Sequence, residues 1–310
     1  MKHTIYFLFI IGFILQACSP QQKEALNSMG FQNIANSVLG TSSAGSYVDA
    51  GNVIEAGGKI SRASKGFTEE EEYYLGRSVS ASILSHYSLL RLRSPAEYVS
   101  KVGKTLATHS DRPDLFNGYR FAILNTDEVN AMSTPGGFIF VTKGILKLMP
   151  NEDALAAVLA HEIAHVVKGH GVKAISSSNM RGALLLLGQE AVSSQGGYQV
   201  QELANVFGSS VADVTDTLLE NGYSRSQEYD ADAYAAELLR RAGYNDGALL
   251  AMLESVGHAS NKNGGWFNTH PSPEKRIREA KSEIKDLSPE IQKAEKTRTA
   301  RFKSAIKPVV

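Results

Sequence analysis

Cysteine is almost missing from this 310-residue chain: Cys18 is the single one, so no internal disulfide can form. A surplus of charge is missing as well. The 32 Lys and Arg balance 32 Asp and Glu, the formal net charge is zero, and a general nucleic-acid-binding role has no electrostatic support. No apolar run reaches the roughly 18 residues that a membrane-crossing helix needs. There is no internal repeat, and in particular no helical repeat array after the core. What remains is the composition of an ordinary globular protein, 43% hydrophobic and 21% charged. Its length suits one large domain or two small ones with ample core.

The place of the lone cysteine explains its rarity. Lys2 and His3 precede an apolar run from Ile5 to Leu15, and Gln16-Ala17-Cys18 follows. A basic start, an apolar middle and a small residue before the cut are the three parts of a secretory signal. A cysteine directly after the cut resembles the lipobox of bacterial lipoproteins, which implies removal of residues 1–17 and a lipid on Cys18. Ser19 in the next position resembles the members sent to the outer membrane rather than the inner one. Residues 18–66 are rich in Ser, Gly, Ala, Asn and Gln and read as a flexible tether.

Order is expected from residue 67. Thr68-Glu69-Glu70-Glu71 has the form of a capping box and predicts a helix to about Leu92; a second helix fits Pro95 to Thr108. Two strands, Tyr119 to Leu124 and Gly137 to Thr142, flank a loop from Asn125 to Pro135. Asn151 caps a helix over Glu152 to Lys168, and another helix runs from Ser224 to Ala242 and stops at Gly243. A last helix starts near Ser272. Residues 173–222 hold broken helical segments around Leu184-Leu185-Leu186-Leu187 and read equally as a lid or as a helical hairpin of the core. Ile291 to Val310 carries six basic residues and one acidic residue, a basic tail that is either a solvated helix end or a surface for anionic lipid or an acidic partner. The fold expected is α+β, mostly helical with a small sheet, with an ordered domain over 67–286 and the tail over 287–310.

His161-Glu162-Ile163-Ala164-His165 carries the chemistry. On a helix, residues four apart lie one turn above each other, so both imidazoles reach one ion. Glu162 sits beside the first ligand, where it serves as a general base without binding the metal. Two histidines leave a catalytic zinc one protein ligand short. Glu228 and Asp232, again four apart, suit the third ligand and an acceptor for the outer N–H of a ligating histidine. With Asp230 and Glu237 nearby, an acidic solvated face fits the spacing equally well.

Taken together, His161 to His165 followed by Glu228-x-x-x-Asp232 resembles the zinc metalloproteases of peptidase family M48, which includes the CAAX prenyl proteases and HtpX-like proteases. Glu72-Tyr73-Tyr74-Leu75-Gly76, Asn130 to Gly137 with Ile139 to Thr142, and Thr269-His270-Pro271-Ser272 with Arg276-Ile277 resemble further stretches of that family in the same order. The resemblance implies a zincin-like core, one Zn2+ per chain on His161, His165 and Glu228, Glu162 as the base, and Asp232 behind the ligands. It further implies that His270 approaches the metal, stabilising the oxyanion or blocking the open position, and that Arg276 forms a structural ion pair. His170 is read as ending the active helix and packing there, off the metal. Asn130 to Gly137 is either an edge for an extended peptide or an ordinary hairpin. The chain is most like the periplasmic lipoprotein members, which implies unfolded or misassembled envelope proteins as substrates, a membrane reached through Cys18, and outer-membrane assembly machinery as a partner. The alternative function is a lipoprotein chaperone or assembly factor with a mostly closed zinc site.

Overall fold

The computed structural model describes residues 67–175, 208–259, 266–270, 273–285 and 288–309. The signal sequence, Cys18, the tether and Leu184 to Leu187 lie outside the described residues. The helices are α1 (Glu69–His86), α2 (Arg93–Ala107), α3 (Lys143–Leu148), α4 (Glu152–Val167), α5 (His170–Lys173), α6 (Arg225–Arg241), α7 (Ala248–Ala259), α8 (Trp266–Thr269), α9 (Pro273–Ala280) and α10 (Pro289–Ile306). The strands are β1 (Arg120–Leu124), β2 (Ala131–Thr134) and β3 (Phe138–Thr142). A helical stretch over 208–216 ends in a π-type turn, Thr217–Asn221. No helix among the described residues is long and apolar enough to cross a membrane.

Local signals set several of these boundaries. Thr68 caps α1 with a reciprocal box, its hydroxyl accepting from Glu71 N at 3.2 Å and its own N–H donating to the Glu71 carboxylate at 2.8 Å. Asn151 accepts from Ala154 N at 2.9 Å to open α4, and Ser224 caps α6. α1 stops at His86 instead of running to Leu92, because the chain turns extended at Tyr87 and pairs with the end of β1: Leu90 N donates to Ile123 O at 2.8 Å, and Asn125 N to Ser88 O at 2.8 Å.

The sheet has the order β1-β3-β2, with β1 parallel and β2 antiparallel to β3. β2 corrects the expectation of a loop over Asn125 to Pro135. Ala131, Met132, Ser133 and Thr134 are all buried, where a chain without a ladder would leave polar backbone unpaired. Side chains alternate across the sheet. Phe138 and Phe140 join one apolar cluster with Tyr73, Leu75, Val79 and Ile83 of α1, while Ile139 and Val141 join the larger core with α2 and α4. The sheet is thus a middle layer, and its run Phe138–Thr142 is buried on both faces. At the end of β2 the backbone of α1 comes close enough that a Cβ on Gly76 would lie 1.6 Å from Pro135 O, so only glycine fits there.

α4 is the axis of the larger core. Every residue from Glu152 to Val166 is buried, against β2, α2, α6, α7 and α10. Its first turn brings two acidic groups inside, and both are matched. Asp153 receives Arg298 Nε at 2.9 Å and Asn245 N at 3.1 Å, while Glu152 receives Tyr98 Oη at 2.6 Å, Tyr244 Oη at 3.0 Å and the Arg301 guanidinium. Arg298 and Arg301 belong to α10, whose Phe302 and Ile306 join the core, with Val309 beyond its end. The segment expected as a basic tail is therefore a packed helix over Pro289–Ile306. Its aromatic and branched residues at helical spacing, Phe302 and Ile306, carry that packing, and the count of basic residues hides it.

Removing Arg298 leaves the buried Asp153 carboxylate without a cation, held by Asn245 N alone. Arg298→Ala is expected to cost about 3–5 kcal/mol in unfolding free energy, read from urea denaturation. Burial pushes the Glu152 carboxyl up, but the Arg301 and Tyr98 hydrogen bonds outweigh it and hold the group below its ordinary 4.5. A carboxyl lowered in the folded state stabilises above its unfolded pKa and loses that contribution as pH falls through the folded one. The share of stability from Glu152 is therefore complete at neutral pH and lost progressively below about pH 4.5, measurable as a falling urea midpoint that Glu152→Gln flattens.

Candidate metal centre

α4 and α6 pack along much of their lengths, which brings the two four-residue spacings face to face. His161 Nε2 and His165 Nε2 lie 3.1 Å apart. Glu228 presents Oε2 at 3.6 Å from the first and Oε1 at 3.4 Å from the second. His270, carried just after α8, brings Nδ1 to 2.9 Å from both Glu228 oxygens. One ligand atom from each of these four buried residues lies within 4.8 Å of every other. The acidic solvated face that the spacing left open is excluded, since Glu228 is 0% and Asp232 2% exposed.

This donor set fits zinc. Four ligands at about 2.0–2.2 Å around a tetrahedral ion stand roughly 3.3–3.5 Å from one another, close to the spacings of His161, His165 and Glu228. Imidazole and carboxylate are also the ligand types of catalytic zinc sites. The outer nitrogen of His161, Nδ1, faces Asp232 Oδ1 at 3.0 Å, the orienting contact that metal-binding histidines commonly make. Arg276 holds that carboxylate with a fork, Nε to Oδ2 at 2.7 Å and Nη2 to Oδ1 at 2.6 Å, and its Nη1 lies 3.0 Å from Glu228 Oε2. Arg276 is fully buried, so the expected ion pair is here a bridge between the metal-facing carboxylate and the one behind it.

The electrostatics follow from burial among charges. Burial pushes Glu228 and Asp232 up, but His270 and Arg276 act on the first, and Arg276 on the second, strongly enough to keep both ionised. Burial and Arg276 oppose a proton on His161, yet Asp232 and Glu228 lift it to about 9. Burial and His161 hold His165 well below its usual range. Burial raises Glu162, against the pull of His161 and His270. A base raised in this way takes a proton more readily near neutral pH than an exposed carboxylate does.

Several residues of the site were not singled out by the sequence. Tyr223 stacks on His165, ring centroids 4.2 Å apart and planes at 17°, and Trp266 stacks on His270 at 4.1 Å and 22°. Ser133 reaches the site from β2. Glu162 Oε1, Ser133 Oγ, Tyr223 Oη and Trp266 Nε1 are buried without a hydrogen-bond partner among the described residues. Buried atoms left without partners at one centre mark polar groups kept for a ligand. Beside Glu162 the free space is small, a cavity of about 10 Å³ lined by Met132, Glu162, Thr217, Leu218, Tyr223 and His270. The π-type turn and Tyr223 lie over the base, tied by Tyr223 N to Thr269 O at 3.2 Å. Pro271 and Ser272 of the closing motif lie outside the described residues.

Two comparisons bear on this arrangement. Residues 93–284 match the profile of peptidase family M48. The chain is 25% identical over 228 residues to the beta-barrel assembly-enhancing protease of Escherichia coli O157:H7, covering 71% of this chain and 44% of that protein. It is 31% identical over 198 residues to the mitochondrial metalloendopeptidase OMA1 of Schizosaccharomyces pombe, covering 63% of this chain and 53% of that protein. It is also 25% identical over 189 residues to the metalloprotease YcaL of Escherichia coli, covering 60% and 71%. The chain thus spans about half the length of the first two of these curated relatives.

A lysine cannot reproduce the fork of Arg276. Arg276→Lys is expected to lower unfolding free energy by about 2 kcal/mol or more and to weaken metal retention, checked by urea unfolding and by metal analysis after dialysis.

Proposed function

This chain belongs to peptidase family M48, a family of metalloproteases, and we propose that it is a zinc-dependent endopeptidase of cell-envelope protein quality control. The substrates proposed are unfolded or misassembled envelope proteins, cut at the periplasmic side of a membrane to which Cys18 anchors the chain, the outer membrane rather than the inner. The observation that carries the reading is the buried constellation of His161, His165 and Glu228 with Glu162 beside it. The similarity to a protease named for barrel assembly supports the envelope as the setting.

His161, His165 and Glu228 would hold the metal, and His270 offers a further nitrogen. When bound, zinc supplies Lewis-acid polarisation of a carbonyl and acidifies water. Asp232 and Arg276 keep the donors ionised and oriented. Glu162 accepts the proton of the attacking water, a step that its raised proton affinity favours, and returns it to the more basic leaving amine. Ser133, on the strand nearest the base, and Tyr223 provide unpartnered hydroxyls for the peptide group under attack. An extended substrate needs more room than about 10 Å³, so the segment at Thr217 to Tyr223 has to move aside for cleavage.

A second reading, a chaperone or assembly factor with a mostly closed zinc site, draws on that covered cleft. Glu162→Gln separates the two. The variant is expected to keep one zinc per chain and lose about 10²-fold or more of its cleavage of an unfolded protein such as casein. Unchanged cleavage sinks the assignment of the base. Full complementation of a deletion strain by the inactive variant selects the non-enzymatic reading instead.

A further inference from the structure

The two histidines of the active helix have different partners on their outer nitrogens. His161 has a buried carboxylate, Asp232. His165 has His170. The turn between α4 and α5 is made by Gly169 in the left-handed region at φ 64°, and it folds His170 back against the helix it follows. His170 is 1% exposed, and its Nδ1 lies 2.9 Å from His165 Nδ1.

Two imidazole nitrogens at that distance admit one hydrogen between them, so one donates and the other accepts. The donor is fixed by the other end of His165. Its Nε2 faces His161 Nε2 and Glu228, at the centre of the donor set, and a ligating nitrogen carries a lone pair and no hydrogen. The hydrogen of His165 is therefore on Nδ1, and His170 Nδ1 accepts it. In the neutral ring of His170 the remaining hydrogen is on Nε2, on the side of Asp230 Oδ2 at 3.6 Å. The other oxygen of Asp230 is held by Lys168 Nζ at 2.9 Å. A directed chain runs from the donor set through His165 and His170 to a half-exposed carboxylate at the surface.

We propose that His170 is a positioning residue of the metal centre: it accepts the Nδ1 hydrogen of His165, fixing the tautomer and ring plane of that ligand, with Asp230 and Lys168 steering His170 in turn. This rests on the zinc reading above and adds to it a residue outside the five-residue motif. It also makes the centre asymmetric. One ligand is backed by a buried charge, and the other by a neutral ring that leads out to solvent.

The test compares two replacements of similar bulk in the full chain. In His170→Asn the amide oxygen takes the place of Nδ1 and still accepts, while His170→Leu fills the space and accepts nothing. Zinc affinity is measured by competition with a chromogenic chelator, and the Co2+-substituted protein gives a ligand-field spectrum that reports ligand geometry without reference to turnover. The result expected is a loss of about 10–100-fold in zinc affinity with a changed cobalt spectrum for His170→Leu, and recovery of most of both in His170→Asn. Thermal unfolding in EDTA is expected to be alike for the two variants. Wild-type zinc affinity in His170→Leu overturns the proposal. Equal losses in both variants, with a matching drop in unfolding temperature in EDTA, show a packing role and overturn it as well. Failure of the wild type to take up zinc or cobalt defeats the metal reading itself and this inference with it, an outcome distinct from the other two.

Discussion

Glu228 and Asp232 stand one turn apart on α6 with almost no access to water, and Glu162 is buried opposite them on α4. Three carboxylates in so small a space repel one another and lack hydration, a cost of several kcal/mol per ion unless cations and hydrogen-bond donors stand beside them. Arg276 is the protein's own answer. Its fork closes on Asp232 and its third nitrogen reaches Glu228, while Trp266 lies 5.7 Å under the guanidinium. Much of the architecture serves this arrangement. α9 exists where it does to deliver Arg276, α8 to deliver Trp266 and His270, and the α4–α6 contact sets the distance between imidazoles and carboxylate.

The same logic repeats at the other end of α4. Glu152 and Asp153 open the helix, where acidic groups complement its dipole, and they are buried because α10 covers them with Arg298 and Arg301. α4 is thus held at its first turn by ion pairs with α10 and near its last turns by the contacts of His161 and His165 with the carboxylates of α6. A rigid mount of this kind suits a site whose ligands need to stay within fractions of an ångström of one geometry. The π-type turn and Tyr223 close the other side of Glu162, Tyr223 stacking on His165 and donating its N–H to Thr269 O.

Much of the fold was legible from caps and spacing. Thr68 with Glu71, Asn151 and Ser224 mark helix starts by side-chain chemistry confined to four residues, which is why the starts of α1, α4 and α6 agree with the sequence to within a residue. β2 is not legible, because Ala131 to Thr134 has no apolar–polar alternation and only one branched residue, Thr134, and its pairing with β3 makes it a strand. α1 ends short of its helical pattern for a similar reason. Leu89 and Leu90 continue a helical pattern, but the free edge of β1 offers their backbone a partner. α10 shows the converse, a packed helix concealed behind a basic composition.

For the site, the sequence by itself put His161, Glu162 and His165 on one helix and Glu228 and Asp232 on one face of another, because residues four apart on one helix share a face whatever the rest of the chain does. It determined the family for the same reason, since the spaced motifs stand in order along the chain. Only the tertiary structure decided that Glu228 and Asp232 turn inward, that Arg276 bridges them, and that Tyr223, Ser133, Trp266 and His170 complete the surroundings. Those contacts join residues from five to well over a hundred positions apart, through turns such as the one at Gly169 and through the packing of α4 on α6. Local spacing carries no information about such meetings, which arise when the chain buries its apolar faces and must then find a partner for every charge taken inside.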